Sequence, residues 1–170
     1  MESRTRRVLG ERAQKLAGRD ARSFGADLEV VTFRLADERY ALASRHVGEA
    51  FPLRGLTPLP CTPPFVAGIV NLRGQILSLV DLKVFFDLPP RKDDGDLMVI
   101  LIRSETMEMG LLVDPPLEVR RLSLAAIHPP LATLTGVRSA YLHGLAERNL
   151  IVLDGRKILE DSSLRVMDEL

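Results

Sequence analysis

The segment that decides the fold runs from Thr57 to Phe86 and reads TPLPCTPPFVAGIVNLRGQILSLVDLKVFF. Two apolar runs, 67–72 and 75–80, flank an Arg-Gly pair. This pattern is typical of two paired strands joined by a tight turn. The loop at 52–64 is rich in proline, which fixes φ and cannot donate ladder hydrogen bonds, so we predict a stiff connection there. Asp81 follows the second run, where its carboxylate can cap the first turn of a short helix.

The two-residue period of a β-strand continues on both sides of this segment. Residues 28–35 and 39–42 alternate apolar with polar side chains around Asp37-Glu38, which predicts a hairpin with its turn at those two residues. Further strands are predicted at 47–51, 97–103, 107–113, 117–122 and 149–153. The tail that follows is predicted to form a short helix.

A weak internal repeat organises these strands. Phe65 to Val70 (FVAGIV) and Tyr141 to Ala146 (YLHGLA) share aromatic, aliphatic and glycine positions in the same order. Each is followed by an apolar strand that ends in an aspartate, Asp81 or Asp154, and then by a basic residue and an apolar pair. The repeat predicts two related β units, each with an Asp-capped helical turn, and small barrels are the natural closed form because closure removes sheet edges. Chance similarity between short apolar strands is the competing interpretation.

Charge is distributed unevenly along the 170 residues. Residues 1–26 carry seven Lys/Arg and three Asp/Glu, so this basic N-terminal extension has a charge of +4 and the rest of the chain one of −4. We favour a solvated arm over a docking helix for the extension, because so short a helix barely forms alone. We place the folded domain at 27–160, with subdomains at about 27–88 and 97–154 that can exchange strands, and a C-terminal tail at 161–170.

The overall composition excludes several classes of protein. Balanced charge and few aromatic residues argue against nucleic-acid binding and against attraction to anionic lipid. Prolines interrupt the longest uncharged stretch, which argues against direct membrane insertion. The N-terminus lacks the apolar run of a secretory signal, and Cys61 alone cannot form an internal disulfide. We therefore predict a cytoplasmic protein.

The sequence contains no recognisable catalytic or metal-binding pattern. It lacks the nucleophile elbow, the glycine-rich phosphate loops and the zinc-protease motif. The spacings of the three histidines, His46, His128 and His143, do not match those of metal ligands. Cys61 is expected to be a small buried residue rather than a nucleophile. Asp81 and Asp154 could serve as paired general acids, but helix capping accounts for them more simply. We expect no catalytic residue, no metal and no cofactor.

Two isolated charges lie within apolar strands. Glu49 occurs in VGEAF and Arg73 in IVNLRGQIL. Because an unpaired buried charge is costly, each requires a partner or a water-lined groove. They can pair with each other and hold two strands in register, or Arg73 can project into a groove and bind a carboxylate or carbonyl of a partner. The two interpretations are compatible.

The segment Thr57 to Phe86 resembles the signature of the CheW family of chemotaxis coupling proteins. The matching positions are Gly68, Asn71, Leu72, Arg73, Gly74, Asp81 and Leu82. The resemblance extends over about 28–160 and includes VGEAF, GLLVD and YLHGLAERNLIVLDGRKIL. It implies an all-β fold of two SH3-like five-stranded β-barrels packed around a shared core, with no enzymatic activity.

The resemblance also implies partners and positions. The partners are the regulatory domain of a CheA-type histidine kinase, the cytoplasmic tip of chemoreceptors, and other copies within a membrane-associated receptor array. Val47, Glu49 and Arg73 match positions associated with receptor or kinase coupling. Gly68, Asn71 and Gly74 match positions that shape the nearby turn. An apolar groove between the barrels would hold the receptor tip.

One segment departs from the family pattern. Pro115 and Pro116 stand where family members more often continue a proline-free strand.

Two other functions compete with that of a chemotaxis coupling protein. One is a CheW-like adaptor of a non-chemotactic chemosensory pathway, such as surface sensing or motility reversal. The other is a small nucleic-acid-binding barrel or hydrolase. For the coupling protein, the sequence predicts that Arg73→Glu leaves folding nearly intact and abolishes coupling.

Overall fold

The computed structural model describes residues 26–89, 96–130 and 137–165, and the described residues fold into nine strands with short helices. The strands are β1 (Asp27–Leu35), β2 (Glu38–Ala43), β3 (Val47–Pro52), β4 (Val66–Leu72), β5 (Gln75–Asp81), β6 (Met98–Arg103), β7 (Glu108–Ser123), β8 (Leu142–Ala146) and β9 (Leu150–Leu153). The helices are α1 (Leu82–Phe85), α2 (Gly155–Glu160) and α3 (Ser162–Arg165), with 3₁₀ turns at Ser44–His46, Leu124–Ala126, Val137–Tyr141 and Glu147–Asn149. The predicted all-β class is confirmed.

Strand pairing divides the domain into two barrels that share β7. Barrel 1 contains β3, β6, residues 108–113 of β7, β5 and β4, in that order. Barrel 2 contains residues 114–123 of β7, then β1, β2, β9 and β8. The first hairpin of the chain therefore belongs with the last one, and β3 to β6 lie between them. Relative to subdomains divided near 88 and 97, the two barrels exchange β1 and β2 for β6 and residues 108–113 of β7.

Each barrel is closed by a single bridge from the segment that follows its edge strand. In barrel 1, Thr57 and Ile69 exchange two backbone hydrogen bonds of 2.9 Å. In barrel 2, His128 and Leu145 exchange two of 2.8 Å. Closure pairs the backbone groups of the last strands, which would otherwise be exposed at a sheet edge.

The repeat predicted from the sequence is present as two equivalent hairpins, β4–β5 and β8–β9. The Asp81 amide donates to the Phe65 carbonyl at 2.8 Å, and the Asp154 amide donates to the Tyr141 carbonyl at 2.7 Å. The second strand of each hairpin then pairs in parallel with a strand of the same barrel, β7 or β2. The aromatic, glycine and aspartate positions therefore have matching roles in both barrels.

Two local expectations need correction. The β1–β2 turn consists of Ala36 and Asp37, because Leu35 pairs with Glu38, so the turn lies one residue earlier than predicted. The runs predicted at 107–113 and 117–122 are one continuous strand, β7. Its pairing with β1 shifts between Asp114 and Glu118, and the intervening prolines lie in this irregularity, where their missing N–H groups break no regular ladder.

The hydrophobic core has three parts. One fills barrel 1 and includes Phe51 and Leu79, and one fills barrel 2 and includes Val30 and Leu150. The largest lies between the barrels, where the rings of Tyr40 and Phe86 stack at 6.2 Å and those of Phe85 and Tyr141 meet at 5.2 Å. Because this cluster draws on both barrels and on α1 and α2, the barrels bury a common apolar face.

Both predicted caps have the expected geometry. The Asp81 carboxylate accepts hydrogen bonds from the amides of Lys83 at 3.0 Å and Val84 at 3.4 Å. The Asp154 carboxylate accepts from the amides of Arg156 at 3.0 Å and Lys157 at 3.3 Å. Each carboxylate therefore satisfies two amides that have no partner within the helix.

We expect Asp154→Ala to lower the free energy of unfolding by about 1 kcal/mol, because α2 loses its cap. Urea denaturation followed by circular dichroism measures this loss. Asp154→Asn is the matched control, since its side-chain oxygen can still accept the same amides. A loss for Asn as large as for Ala would contradict a capping role.

Three predictions concern regions only partly described. The N-terminal arm 1–26 lies outside the described residues except for its last position, and the predicted boundary between the subdomains at 88–97 is described only at 88–89 and 96–97. The tail was predicted to be helical, and α3 forms its described part. Within the described ranges, no helix has both the length and the apolar character needed to span a membrane.

Candidate functional site

The turn between β4 and β5, which we call the barrel 1 tip (residues 71–76), presents Arg73 at the surface. Leu72 pairs with Gln75, so the turn consists of two residues, Arg73 and Gly74, with φ values of 50° and 83°. This left-handed conformation explains the glycine. The Asn71 side-chain oxygen accepts a hydrogen bond of 2.8 Å from the Gly74 amide and fixes the turn from the side.

The isolated charges Glu49 and Arg73 pair with each other. Arg73 Nη1 donates to Glu49 Oε1 at 3.0 Å, and Nη2 donates to Oε2 at 2.5 Å. The Glu49 side chain is 0 % exposed, whereas that of Arg73 is 51 % exposed. The predicted pairing is confirmed, and the guanidinium compensates a carboxylate that has no access to water.

The three expected coupling residues differ in exposure. Val47 is buried in β3, opposite Ile102 of β6. Glu49 is buried beneath Arg73, and Gly68 is buried in β4. Of Val47, Glu49 and Arg73, only Arg73 exposes a large part of its side chain. Glu49 therefore supports Arg73 from below, whereas Val47 belongs to the core between the barrels.

A cleft of about 440 Å³ lies beside the tip. Its lining consists of Leu72, Arg73, Gln75, Leu101, Arg103 and Glu108. Ile76, on the outer face of the tip, is 65 % exposed. Arg103 was not predicted as a site residue, although a charge at the end of the apolar run 97–102 is a signal visible in the sequence.

A second cleft, of about 520 Å³, lies where barrel 1 meets α2. Its lining is mostly polar: His46, Arg103, Ser104, Glu105, Thr106, Arg156, Leu159 and Glu160. Burial, and then the charge of Arg45, lower the pKa of His46 from its ordinary value. The shared core lies between the barrels, and the apolar groove expected there stays a prediction.

A buried ion pair that the sequence did not indicate joins the barrels. Lys83 Nζ donates to Asp114 Oδ1 at 2.8 Å, and the two side chains are 7 % and 8 % exposed. Asp114 Oδ2 accepts a hydrogen bond of 3.2 Å from the Ala36 amide, in the β1–β2 turn. One carboxylate therefore binds α1, which follows barrel 1, and a turn of barrel 2.

The described residues offer little for metal or nucleophilic chemistry. Within the ranges 26–89, 96–130 and 137–165, no group of three or more His, Cys, Asp or Glu side chains could hold a metal ion. Cys61 is exposed, in contrast to the expectation of burial. It lies in the proline-rich loop at a φ of 58°, where the turn directs the chain along the surface.

The pairing changes the expectation for Arg73→Glu. We expect this substitution to lower the free energy of unfolding by about 2 kcal/mol, because it places a second carboxylate against the buried Glu49. The value lies below that of a fully buried pair because Arg73 is half-exposed. The near-intact folding predicted from sequence therefore does not fit this geometry.

Thermal unfolding of matched variants tests this coupling. The double variant Glu49→Gln/Arg73→Gln carries no charge at either position, so it should unfold closer to wild type than Arg73→Glu does. If the two variants are equally destabilised, the loss does not come from repulsion at Glu49.

Comparison with known proteins shows the family to which the chain belongs. The family model for the CheW-like domain matches residues 29–163. A chemotaxis protein CheW from Treponema pallidum is 29 % identical over 149 residues, covering 84 % of this chain and 88 % of the relative. One from Klebsiella aerogenes is 30 % identical over 143 residues, covering 82 % and 86 %. The crystal structure of the scaffolding protein TtCheW from Thermoanaerobacter tengcongensis matches with a TM-score of 0.66 and 32 % identity, covering 74 % of this chain and 88 % of that one.

Proposed function

Because the chain belongs to the family of CheW-like domains, we propose that it is a non-enzymatic adaptor that couples chemoreceptors to a CheA-type histidine kinase. The family match over 29–163 carries the proposal, since it includes both barrels, the barrel 1 tip and the Glu49–Arg73 pair. The similar solved protein is described as a scaffold, and the similar curated proteins as chemotaxis proteins.

The coupling surface we propose is centred on the barrel 1 tip. Arg73 contributes exposed surface, Glu49 holds it from below, and Val47 anchors the same strand in the core between the barrels. Exposed Ile76 adds an apolar contact to this surface. The receptor tip, the regulatory domain of the kinase and other copies of the chain would each bind with modest affinity. Simultaneous binding within an array raises the effective affinity without further contacts.

The arrangement of charges supports scaffolding without turnover. Glu49 and Arg73 are committed to each other, as are Lys83 and Asp114, and Asp81 and Asp154 cap helices. In these positions the groups stabilise local geometry. We therefore propose that the protein acts without a cofactor. Its proposed place, in the cytoplasm at the receptor array, follows from the proposed adaptor role.

A reconstituted kinase assay tests the function. Membranes containing a chemoreceptor are mixed with the CheA-type kinase of the same organism, with and without this protein. We expect the protein to raise receptor-dependent autophosphorylation several-fold, and to hydrolyse no nucleotide or ester alone. Arg73→Glu should not stimulate the kinase. The double variant Glu49→Gln/Arg73→Gln, which is expected to fold, is the comparison for it. Equal kinase activity with and without the protein would contradict the proposal.

A further inference from the structure

Arg103, at the end of β6, combines three features that set it apart from the other arginines near the tip. It is exposed, and it lines both the cleft beside the tip and the cleft at α2. Among the residues that the structure describes, none forms an ion pair or hydrogen bond with its guanidinium. Its cross-strand neighbour in the backbone ladder is Glu108, yet no ion pair joins the two side chains. A guanidinium on the ridge between two clefts therefore keeps its donors for an external acceptor.

The backbone of β3 holds this guanidinium in place. A Cβ atom built on Gly48 would lie 3.1 Å from Arg103 Nε and 3.2 Å from Cζ. The arginine therefore packs over Gly48, where the absence of a side chain leaves room for it. Contact along the side chain restricts its rotamers before a partner arrives, which reduces the entropy lost on binding.

The guanidinium of Arg73, unlike that of Arg103, already has a partner within the chain. Both terminal nitrogens of Arg73 donate to the buried Glu49, so its charge is already compensated from within the chain. Gly48 lies between Val47 and Glu49, so Arg103 rests on the strand that supports Arg73. Of the two guanidinium groups beside the tip, that of Arg103 is the one without an ion-pair partner among the described residues.

We infer that Arg103 binds a carboxylate of the partner protein, from an Asp or Glu side chain that docks between the two clefts. The planar guanidinium can donate two parallel hydrogen bonds to such a group, which a lysine cannot reproduce. This inference rests on the proposed function, because it names the chemistry by which the same surface recognises a partner.

Binding of two purified probes tests the inference: the regulatory domain of the CheA-type kinase and a fragment of the chemoreceptor signalling tip. We expect Arg103→Gln to weaken binding of at least one probe about tenfold or more. Arg103→Lys keeps the charge and should recover only part of the affinity. Arg121→Gln is the matched control, an exposed arginine on barrel 2, and should bind within about twofold of wild type. Thermal melts verify that all three variants are folded.

A second substitution moves the guanidinium without removing it. Gly48→Ala places a methyl group against Arg103, so binding of the same probe should weaken several-fold. Wild-type affinity in both Arg103→Gln and Gly48→Ala would overturn the inference while leaving the proposed function intact. If wild-type protein binds neither probe, the proposed function fails, and the inference fails with it.

Discussion

Replacing Asp114 with alanine is expected to lower the free energy of unfolding by about 3–5 kcal/mol, because it leaves the buried Lys83 ammonium without its counter-charge. The Ala36 amide loses its acceptor in the same step. Urea denaturation monitored by circular dichroism measures the change. The loss should appear as a lower denaturation midpoint with an unchanged slope, since the unfolded surface stays the same.

A double variant separates loss of the pair from loss of one partner. Lys83→Met/Asp114→Leu removes both charges and fills the site with apolar groups, so it should be more stable than Asp114→Ala. Arg120→Gln/Glu147→Gln is the matched control, because it removes a partly exposed ion pair within barrel 2 and should cost less than about 1 kcal/mol. A double variant as unstable as the single one would show that the buried ammonium is not the source of the loss.

The position of Asp114 explains why its loss should affect the whole domain. Val113 is the last residue of β7 to pair with β6, and Asp114 is the first to pair with β1. The prolines that follow interrupt the regular ladder at this crossing. The shared core supplies attraction between the barrels without direction, whereas the carboxylate fixes one hydrogen-bonded arrangement. Asp114 therefore stabilises the domain at a point where the regular backbone ladder is interrupted.

The sequence predicted best those features that depend on neighbouring residues. The β4–β5 hairpin and its two-residue turn were predicted from the two apolar runs on either side of Arg73-Gly74. The pairing of Glu49 with Arg73 was one of two interpretations that the sequence left open, because a charge inside an apolar strand needs a compensating partner or a water-lined groove. Such local conflicts are visible in a single sequence.

The sequence did not predict features that depend on how distant segments meet. Nothing local distinguishes β1 and β2 as partners of β7, β8 and β9 rather than of β3. In the sequence, nothing separates Lys83 from an ordinary surface lysine, and its pairing with Asp114 is visible only in the fold.

Gly68 is expected to be among the least tolerant positions in the chain. A Cβ atom there would lie 2.2 Å from the Thr57 carbonyl oxygen, far inside van der Waals contact, and the residue has a φ of 145°. The obstructing atom belongs to backbone, so relief requires moving the segment that closes barrel 1 through Thr57 and Ile69. We expect Gly68→Ala to cost about 3 kcal/mol or more, from steric overlap and backbone strain together. Chemical denaturation measures the loss.

Substitutions at Gly55 and Gly144 separate the cost of steric overlap from the cost of backbone strain. Gly55 has a φ of 67° but open space around its Cβ position, so Gly55→Ala reports backbone strain alone and should cost about 1 kcal/mol. Gly144 occupies the equivalent place in barrel 2, where a Cβ atom would lie 2.5 Å from the His128 carbonyl oxygen. Gly144→Ala should therefore resemble Gly68→Ala, because the same backbone crossing closes both barrels. If Gly68→Ala and Gly144→Ala cost no more than Gly55→Ala, close backbone approach does not close these barrels, and the structural equivalence of the two repeats loses its physical basis.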